Sequence, residues 1–239
     1  MKTILRFLAI PALASALAAS AGDITGTVTL SGTPPPEKVI DQVKDNADCN
    51  KLHADAPMKT RFYVVWPKGG LAGVVLTLKG AAGGPAGEAA APAVLDQAGC
   101  EYTPYIIAIQ TNQKLSVKNS DPVMHNVHPT PKAPGNKEDN KAQFPNGADV
   151  SFKFPTAESF LRFKCDVHPW MFAYVTVVDS PYFAVSDKDG AFKIANVPPG
   201  KYTIEAIHRK ASEGKPVTKE IEVKADGATI DFTLEVPKS

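Results

Sequence analysis

Short runs of alternating apolar and polar residues, separated by turn-forming residues, recur along most of this chain. Residues 24–30 (Ile-Thr-Gly-Thr-Val-Thr-Leu) alternate β-branched with small or polar positions, and Gly32-Thr33-Pro34-Pro35-Pro36 ends the run. Residues 61–66 and 73–78 are the next strand candidates, followed by 105–110 and 114–118 around a turn at Asn112-Gln113. Residues 150–154 and 160–164 alternate clearly, and 171–178 is a strongly apolar strand. The C-terminal block continues with 182–185, 191–194, 202–207, 217–223 and 229–234, broken by turns at Asp187-Lys188-Asp189-Gly190 and Pro198-Pro199-Gly200. Many short strands at regular spacing predict an all-β sandwich class. Residues 38–57 are polar with weak helical periodicity, and no long helix is expected after the N-terminus. The Gly, Ala and Pro content of 80–92 predicts a flexible loop, and 129–147 is a long Pro-, Lys- and Asn-rich loop with no sign of a core.

The N-terminus follows a different pattern. Lys2 and Arg6 precede an apolar run over 7–18 that is too short to span a bilayer, and Ala19-Ser20-Ala21 has the form of a cleavage site. The expectation is a signal peptide over 1–21 and a soluble, exported, periplasmic protein with no transmembrane segment after cleavage. The 239 residues carry 26 basic and 25 acidic side chains, a formal charge of +1. Removing Lys2 and Arg6, and no acid, changes +1 to −1. Nothing in that balance suggests a nucleic-acid partner.

Candidate chemistry concentrates in Phe163-Lys164-Cys165-Asp166-Val167-His168-Pro169-Trp170-Met171, with Val123-Met124-His125-Asn126-Val127-His128 upstream. Two imidazoles (His125, His168), a thiolate (Cys165) and a weak axial thioether (Met171) are the donor set of a blue-copper site. Alternation over 160–165 places Cys165 on the apolar face at a strand end, and a tight turn over 166–170 presents His168. Asn126 is placed to tie the two ligand loops together, and Pro169 to stiffen one of them. Blander readings remain open. C-x2-H is also half of a zinc site, although the chain offers no second tight pair at finger spacing. Met171 is equally placed to be the first core residue of its strand, and His125 to be a satisfied surface histidine.

The chain has three cysteines, and export favours pairing. A Cys49–Cys100 disulfide would leave Cys165 free as a ligand, but counting alone does not fix the pairing. Cys49-x3-His53 with Met58 nearby is a weaker candidate for a second soft-metal site, against the simpler reading of a disulfide with His53 exposed. His128 is open to sharing the face of His125 or to lying exposed after a bend, and His208, among basic residues, reads as solvated. No nucleophile elbow, phosphate loop or suggestive carboxylate pair is present, so no enzymatic role is expected.

Over 102–179 the chain resembles the cupredoxins, most closely the amicyanins, on His125-Asn126-Val127-His128 and Cys165-x2-His168-Pro169-x-Met171. The resemblance implies a Greek-key sandwich with one type 1 copper on His125, Cys165, His168 and Met171. Asp187 to Ile194 and Val197 to Ile204 are similar to carboxypeptidase regulatory-like (transthyretin-like) domains. The earlier strands of that pattern lie at Gly26-Thr27-Val28 and at 73–78, which suggests a split domain with the copper domain inserted. The expected layout is 22–80 and 180–239 for the outer sandwich, 81–93 for the flexible loop and 94–179 for the cupredoxin-like domain. The functional expectation is one-electron transfer with a periplasmic redox protein that docks on Met124, Pro169, Trp170 and Phe172. The alternatives are a copper carrier or sensor, or a structural or adhesion protein with a stabilising metal.

Overall fold

The computed structural model describes residues 21–81 and 87–238. Residues 1–20 of the expected signal peptide (1–21) and residues 82–86 of the expected loop lie outside them.

The described residues are nearly all β, and their strands sort into two sandwiches. In the first, Gly22–Ser31 runs antiparallel to Ala191–Val197 and parallel to Ala228–Thr229 and Phe232–Glu235. Its second sheet places Val75–Lys79 between Phe183–Val185 and Gly200–Ile207, with Val217–Val223 beyond. Alternation along these strands delivers Ile24, Val28, Leu76, Leu78, Phe192, Ile194, Ile204 and Leu234 to one shared core. The first strand of the chain is therefore completed by the last ones. The Asp187–Gly190 turn explains its own sequence: Gly190 has φ +79, and a Cβ there would lie 2.3 Å from the Val28 carbonyl oxygen.

The intervening chain builds the second sandwich. A five-stranded sheet runs Ile106–Gln110, Phe172–Val178, Glu158–Lys164, His125–Thr130, Lys141–Gln143. Its partner sheet runs Tyr102–Thr103, Ala93–Gln97, Leu115–Asn119, Val150–Phe152. Leu95, Tyr102, Val117, Phe154, Phe163 and Val175 fill the space between them. Val75, Ile106 and Ala108 form a small apolar seam where the two sandwiches meet. Arg209 covers that seam, stacked 4.3 Å from the Tyr174 ring centre and donating to the Tyr105 hydroxyl at 3.2 Å.

A strap leaves the first sandwich and lies on the second. It is closed at its base by a bridge between Val39 and Lys59 and contains a 3-10 turn, Asp41–Asp45, and a short helix, Ala47–Leu52. Asn46 caps that helix, its side-chain oxygen accepting from the amides of Asp48 and Cys49. Cys49 is disulfide-bonded to Cys100 in the second sandwich, and His53 hydrogen-bonds the Gly99 carbonyl.

Several expectations need correction. Residues 61–66 form no strand, only an isolated bridge from Val65 to Leu71. The strand Ala93–Gln97 was not expected; it begins inside the 81–93 segment, where Ala-rich flanks hide its alternation. The region 129–147 is not structureless. Pro129 and Thr130 complete one strand, and Lys141–Gln143 adds the edge strand beside it, burying Gln143. His53 is half-buried rather than exposed.

His208 is not solvated. It is 4 % exposed, and its Nδ1 accepts from the amides of Lys210 and Ala211. Burial, and then the neighbouring Arg209, push its pKa down to about 4. The neutral ring is thus required by the fold. Above the unfolded value of about 6.5 this costs nothing, and as pH falls from there toward 4 the unfolded state gains a proton that the native state refuses. Stability should fall by roughly 3 kcal/mol across that window. Urea denaturation at pH 7 and pH 4.5, with His208→Gln as control, checks this: the variant should lose less on acidification.

Candidate metal centre

The strand Glu158–Lys164 ends at Cys165, whose amide donates to the Met171 carbonyl at 3.0 Å. The Met171 amide donates to the His168 carbonyl at 2.9 Å. These two bonds close a tight loop between paired strands, Lys164 opposite Phe172, and turn His168 inward. His125 opens the neighbouring strand, which pairs with the Cys165 strand through Lys164 and His128. Cys165 and His125 are thereby brought together from adjacent strand ends.

The Nδ1 atoms of His125 and His168 face each other at 2.9 Å, and Cys165 Sγ lies 3.7 Å from His168 Nδ1. All three residues are at most 2 % exposed. A tetrahedral ion with bonds of about 2.0 Å to nitrogen and about 2.3 Å to sulfur holds such atoms about 3.3 Å and about 3.5 Å apart. The donor set fits a single soft or borderline ion with little movement. Met171 is buried in the same core cluster as Cys165, on the loop that holds His168.

Hydrogen bonds fix each ring. His125 Nε2 donates to Asp121 Oδ2 at 2.9 Å, which leaves the Nδ1 lone pair facing inward. Asp121 also accepts from the amides of Gly99 at 2.6 Å and Cys100 at 2.7 Å. Burial opposes the charge on Asp121, but His125 and those two amides outweigh it and hold the carboxyl below its usual range. The His168 Nε2 edge faces Asn46 Nδ2 of the strap at 3.2 Å, and Trp170 packs beside the ring at 5.2 Å. Asn46 Oδ1 is committed to the helix amides, so Nδ2 donates to Nε2 and the His168 proton sits on Nδ1, donating to His125. A cation held at His168 Nδ1 would need the ring proton on Nε2, and the Asn46 amide hydrogens turned away from that nitrogen.

Burial alone would push the Cys165 thiol up. The imidazoles of His125 and His168 beside the sulfur, with the Asn126 and His168 amides, overcome it and bring the pKa down to about 6. His125 is pulled the opposite way: burial lowers it, and Asp121 and Cys165 more than compensate, raising it. The site therefore offers a thiolate near neutral pH.

Asn126 joins the two ligand loops. Its amide lies 3.5 Å from Cys165 Sγ, and its side-chain oxygen accepts from the Asp166 amide at 2.7 Å. Its Nδ2 donates to Asn140 Oδ1 at 2.7 Å, and Tyr102 donates to its carbonyl at 2.9 Å. Asn126→Ala should destabilise the metal-free protein by about 1–2 kcal/mol, since it removes the part-buried bonds to Asn140 and to the Asp166 amide and the buried contact with Cys165 Sγ. It should also speed alkylation of Cys165 by iodoacetamide. Thermal melts and mass spectrometry check both.

His128 does not share the face of His125. Three residues apart on a strand, they point to opposite sides, and His128 bonds Asp166 and Glu138 at the surface. Met124 and Pro169 are exposed, while Trp170 and Phe172 are half-buried. Trp170 donates to the Cys100 carbonyl at 3.2 Å, and Phe172 packs on Tyr105 and Tyr174. Sequence reasoning did not find Asp121, Tyr102 or Asn46. Asp121 had a local signal, standing four residues before His125; Asn46 is 122 residues from His168 and had none.

No protein-family model matches the chain, and no curated protein matches it. Among solved structures, a copper-containing nitrite reductase from Thermus scotoductus SA-01 aligns with 37 % of this chain at 15 % identity and a TM-score of 0.33. The chain spans 22 % of that enzyme's length. An oxidised amicyanin variant aligns over 43 % of this chain and 98 % of its own at 21 % identity, with a TM-score of 0.33. A Cu(I) amicyanin variant aligns over the same shares at 20 % identity and a TM-score of 0.32. At these scores the likenesses add nothing to what the residues themselves establish.

Proposed function

We propose that this chain is an exported, periplasmic type 1 copper protein that carries one electron at a time between redox proteins, with His125, Cys165, His168 and Met171 as ligands. The observation that carries this reading is the convergence of two imidazole nitrogens and one low-pKa thiol in a buried space, with a methionine on the same loop. Copper bound there supplies the one-electron couple. The residues around it keep the site constant. Asp121 and Asn126 fix His125 and the Cys165 loop, and the core strands exclude water. Met124 and Pro169, with the exposed edges of Trp170 and Phe172, are the proposed apolar contacts for a transient partner. The outer sandwich is proposed as a rigid, non-catalytic spacer of the carboxypeptidase regulatory-like kind, an analogy of fold only.

A copper carrier with the same ligands is the second reading. It is favoured by one observation: His168 is 2 % exposed beneath Asn46, so a partner cannot touch the imidazole directly.

The test is to add Cu(II) to the mature protein and titrate it with a one-electron reductant. The expected result is an intense thiolate-to-copper band that bleaches with one electron per chain and returns on reoxidation. A folded protein with a free Cys165 thiol and bound copper but no such band would overturn the proposal. If the band forms and self-exchange is nevertheless very slow, the carrier reading replaces electron transfer.

A further inference from the structure

The disulfide lies against the candidate site rather than apart from it. The sulfurs of Cys49 and Cys100 and a ring nitrogen of His168 lie within 4.8 Å of one another, and all three residues are buried. Met58, 5 % exposed, packs in the same small cluster as both cysteines, with Val43. Two sulfurs and an imidazole thus meet where the strap touches the second sandwich, with the Met58 side chain packed in the same cluster.

We propose that Cys49, Cys100 and His168, with Met58 beside them, form a second soft-metal site that exists only when the disulfide is reduced, and that it takes Cu(I). In the reduction step a dithiol donor supplies two electrons and two protons. The S–S bond breaks, two thiols form, and the donor becomes its own disulfide. Cu(I) then binds as the thiols release protons to solvent.

The geometry favours this because the cysteines are held by more than their mutual bond. The Cys49 helix is capped by Asn46, which is itself hydrogen-bonded to His168. Cys100 is fixed by its amide to Asp121 and by its carbonyl to Trp170. His53 ties the helix end to Gly99, and Val39 pairs with Lys59 at the strap base. Reduction therefore leaves two thiols facing each other in place. Thiolate and thioether select Cu(I) over hard cations, and Cu(I) is content with two or three such donors in a dry pocket, whereas zinc asks for four. His168 stands between the two donor groups. Its Nδ1 faces Cys165 and His125, and its Nε2 faces the strap, so one ring can serve either site.

The test uses Cys165→Ala in the full mature chain, so that the first site cannot contribute its thiolate. Oxidised protein, and protein reduced anaerobically with dithiothreitol and desalted, are titrated with Cu(I) against bicinchoninate. The reduced chain should bind one Cu(I) and the oxidised chain none. Adding Cys49→Ser and Cys100→Ser should abolish binding, and Met58→Leu or His168→Ala should each weaken it at least tenfold. No Cu(I) uptake by the reduced chain overturns the proposal. So does an affinity that both Met58→Leu and His168→Ala leave unchanged, which would mark an ordinary dithiol. If reduction unfolds the chain, seen as full exposure of Trp170 by fluorescence, the disulfide is a staple and the proposal fails. Failure of the copper reading at Cys165 is seen separately, in the oxidised wild-type chain.

Discussion

Cys165→Ala should abolish the intense visible band of the copper-loaded protein and lower Cu(II) affinity by at least about a hundredfold. Partners one step removed from a metal already account for about ten- to a hundredfold in affinity, and Cys165 is the only thiolate free to bind. The fold should survive. Cys165 is buried at a strand end, and removing one sulfur from that core costs on the order of 1 kcal/mol. The Asn126 amide loses its sulfur contact but keeps its place through Tyr102, which bonds the Asn126 carbonyl. Metal-free wild type and variant should therefore melt within a few degrees of each other. Copper should raise the wild-type melting temperature and leave the variant nearly unmoved, because only a native state that binds is stabilised by ligand. A variant that keeps the band, or gains as much stability from copper as wild type does, would sink the assignment of Cys165. Cys165→Ser separates size from softness: it restores the volume, replaces sulfur by a hard oxygen, and should behave like the alanine variant toward copper.

That experiment was designable from the sequence, because the whole ligand loop is local. Cys165, His168 and Met171 fall within one strand end, one turn and the next strand start, and alternation over 160–165 fixed which way the thiol points. The strands that carry strong alternation were legible for the same reason. What failed to show were features set by distant chain. Asn46 contacts His168 across 122 residues, and its own neighbourhood reads only as polar with weak helical periodicity. Ala93–Gln97 has too few β-formers to stand out, and it is a strand because Leu115–Asn119 pairs with its whole length. His208 looked solvated among Arg209 and Lys210, yet its ring is turned under the chain by two backbone amides that no spacing announces. Burial of a polar residue is decided by its partners: for His168 one lies 122 residues away, and for His208 they are nearby amides brought to the ring only by the fold of the turn.

Asp121 shows the consequence most sharply, and Asp121→Asn should produce the second large effect. One carboxylate, 5 % exposed, accepts three hydrogen bonds: from Gly99, from Cys100 and from His125 Nε2. An amide of the same shape has one acceptor oxygen and one NH2. It must leave a backbone amide unpaired, or turn its NH2 toward His125 and force the ring proton onto Nδ1, where a metal would bind. The first outcome costs about 1–3 kcal/mol for the orphaned donor, and the second competes with the ion directly. Copper affinity should fall about ten- to a hundredfold, and the reduction potential should rise, since a buried negative charge that favours Cu(II) over Cu(I) is gone. The pH dependence follows from the same bonds. The Asp121 carboxyl is held below the ordinary aspartate value, so its stabilisation is fully present above that range and is lost as pH falls below it. Metal-free wild type should lose this contribution as pH falls below the ordinary aspartate range, while Asp121→Asn, lower in stability at pH 7, should lack that part of the acid slope. Potentiometry of the copper form and urea denaturation of the metal-free form across this range decide it. An unchanged potential together with an unchanged acid slope would show that Asp121 braces the Gly99–Cys100 turn alone and does not act on His125.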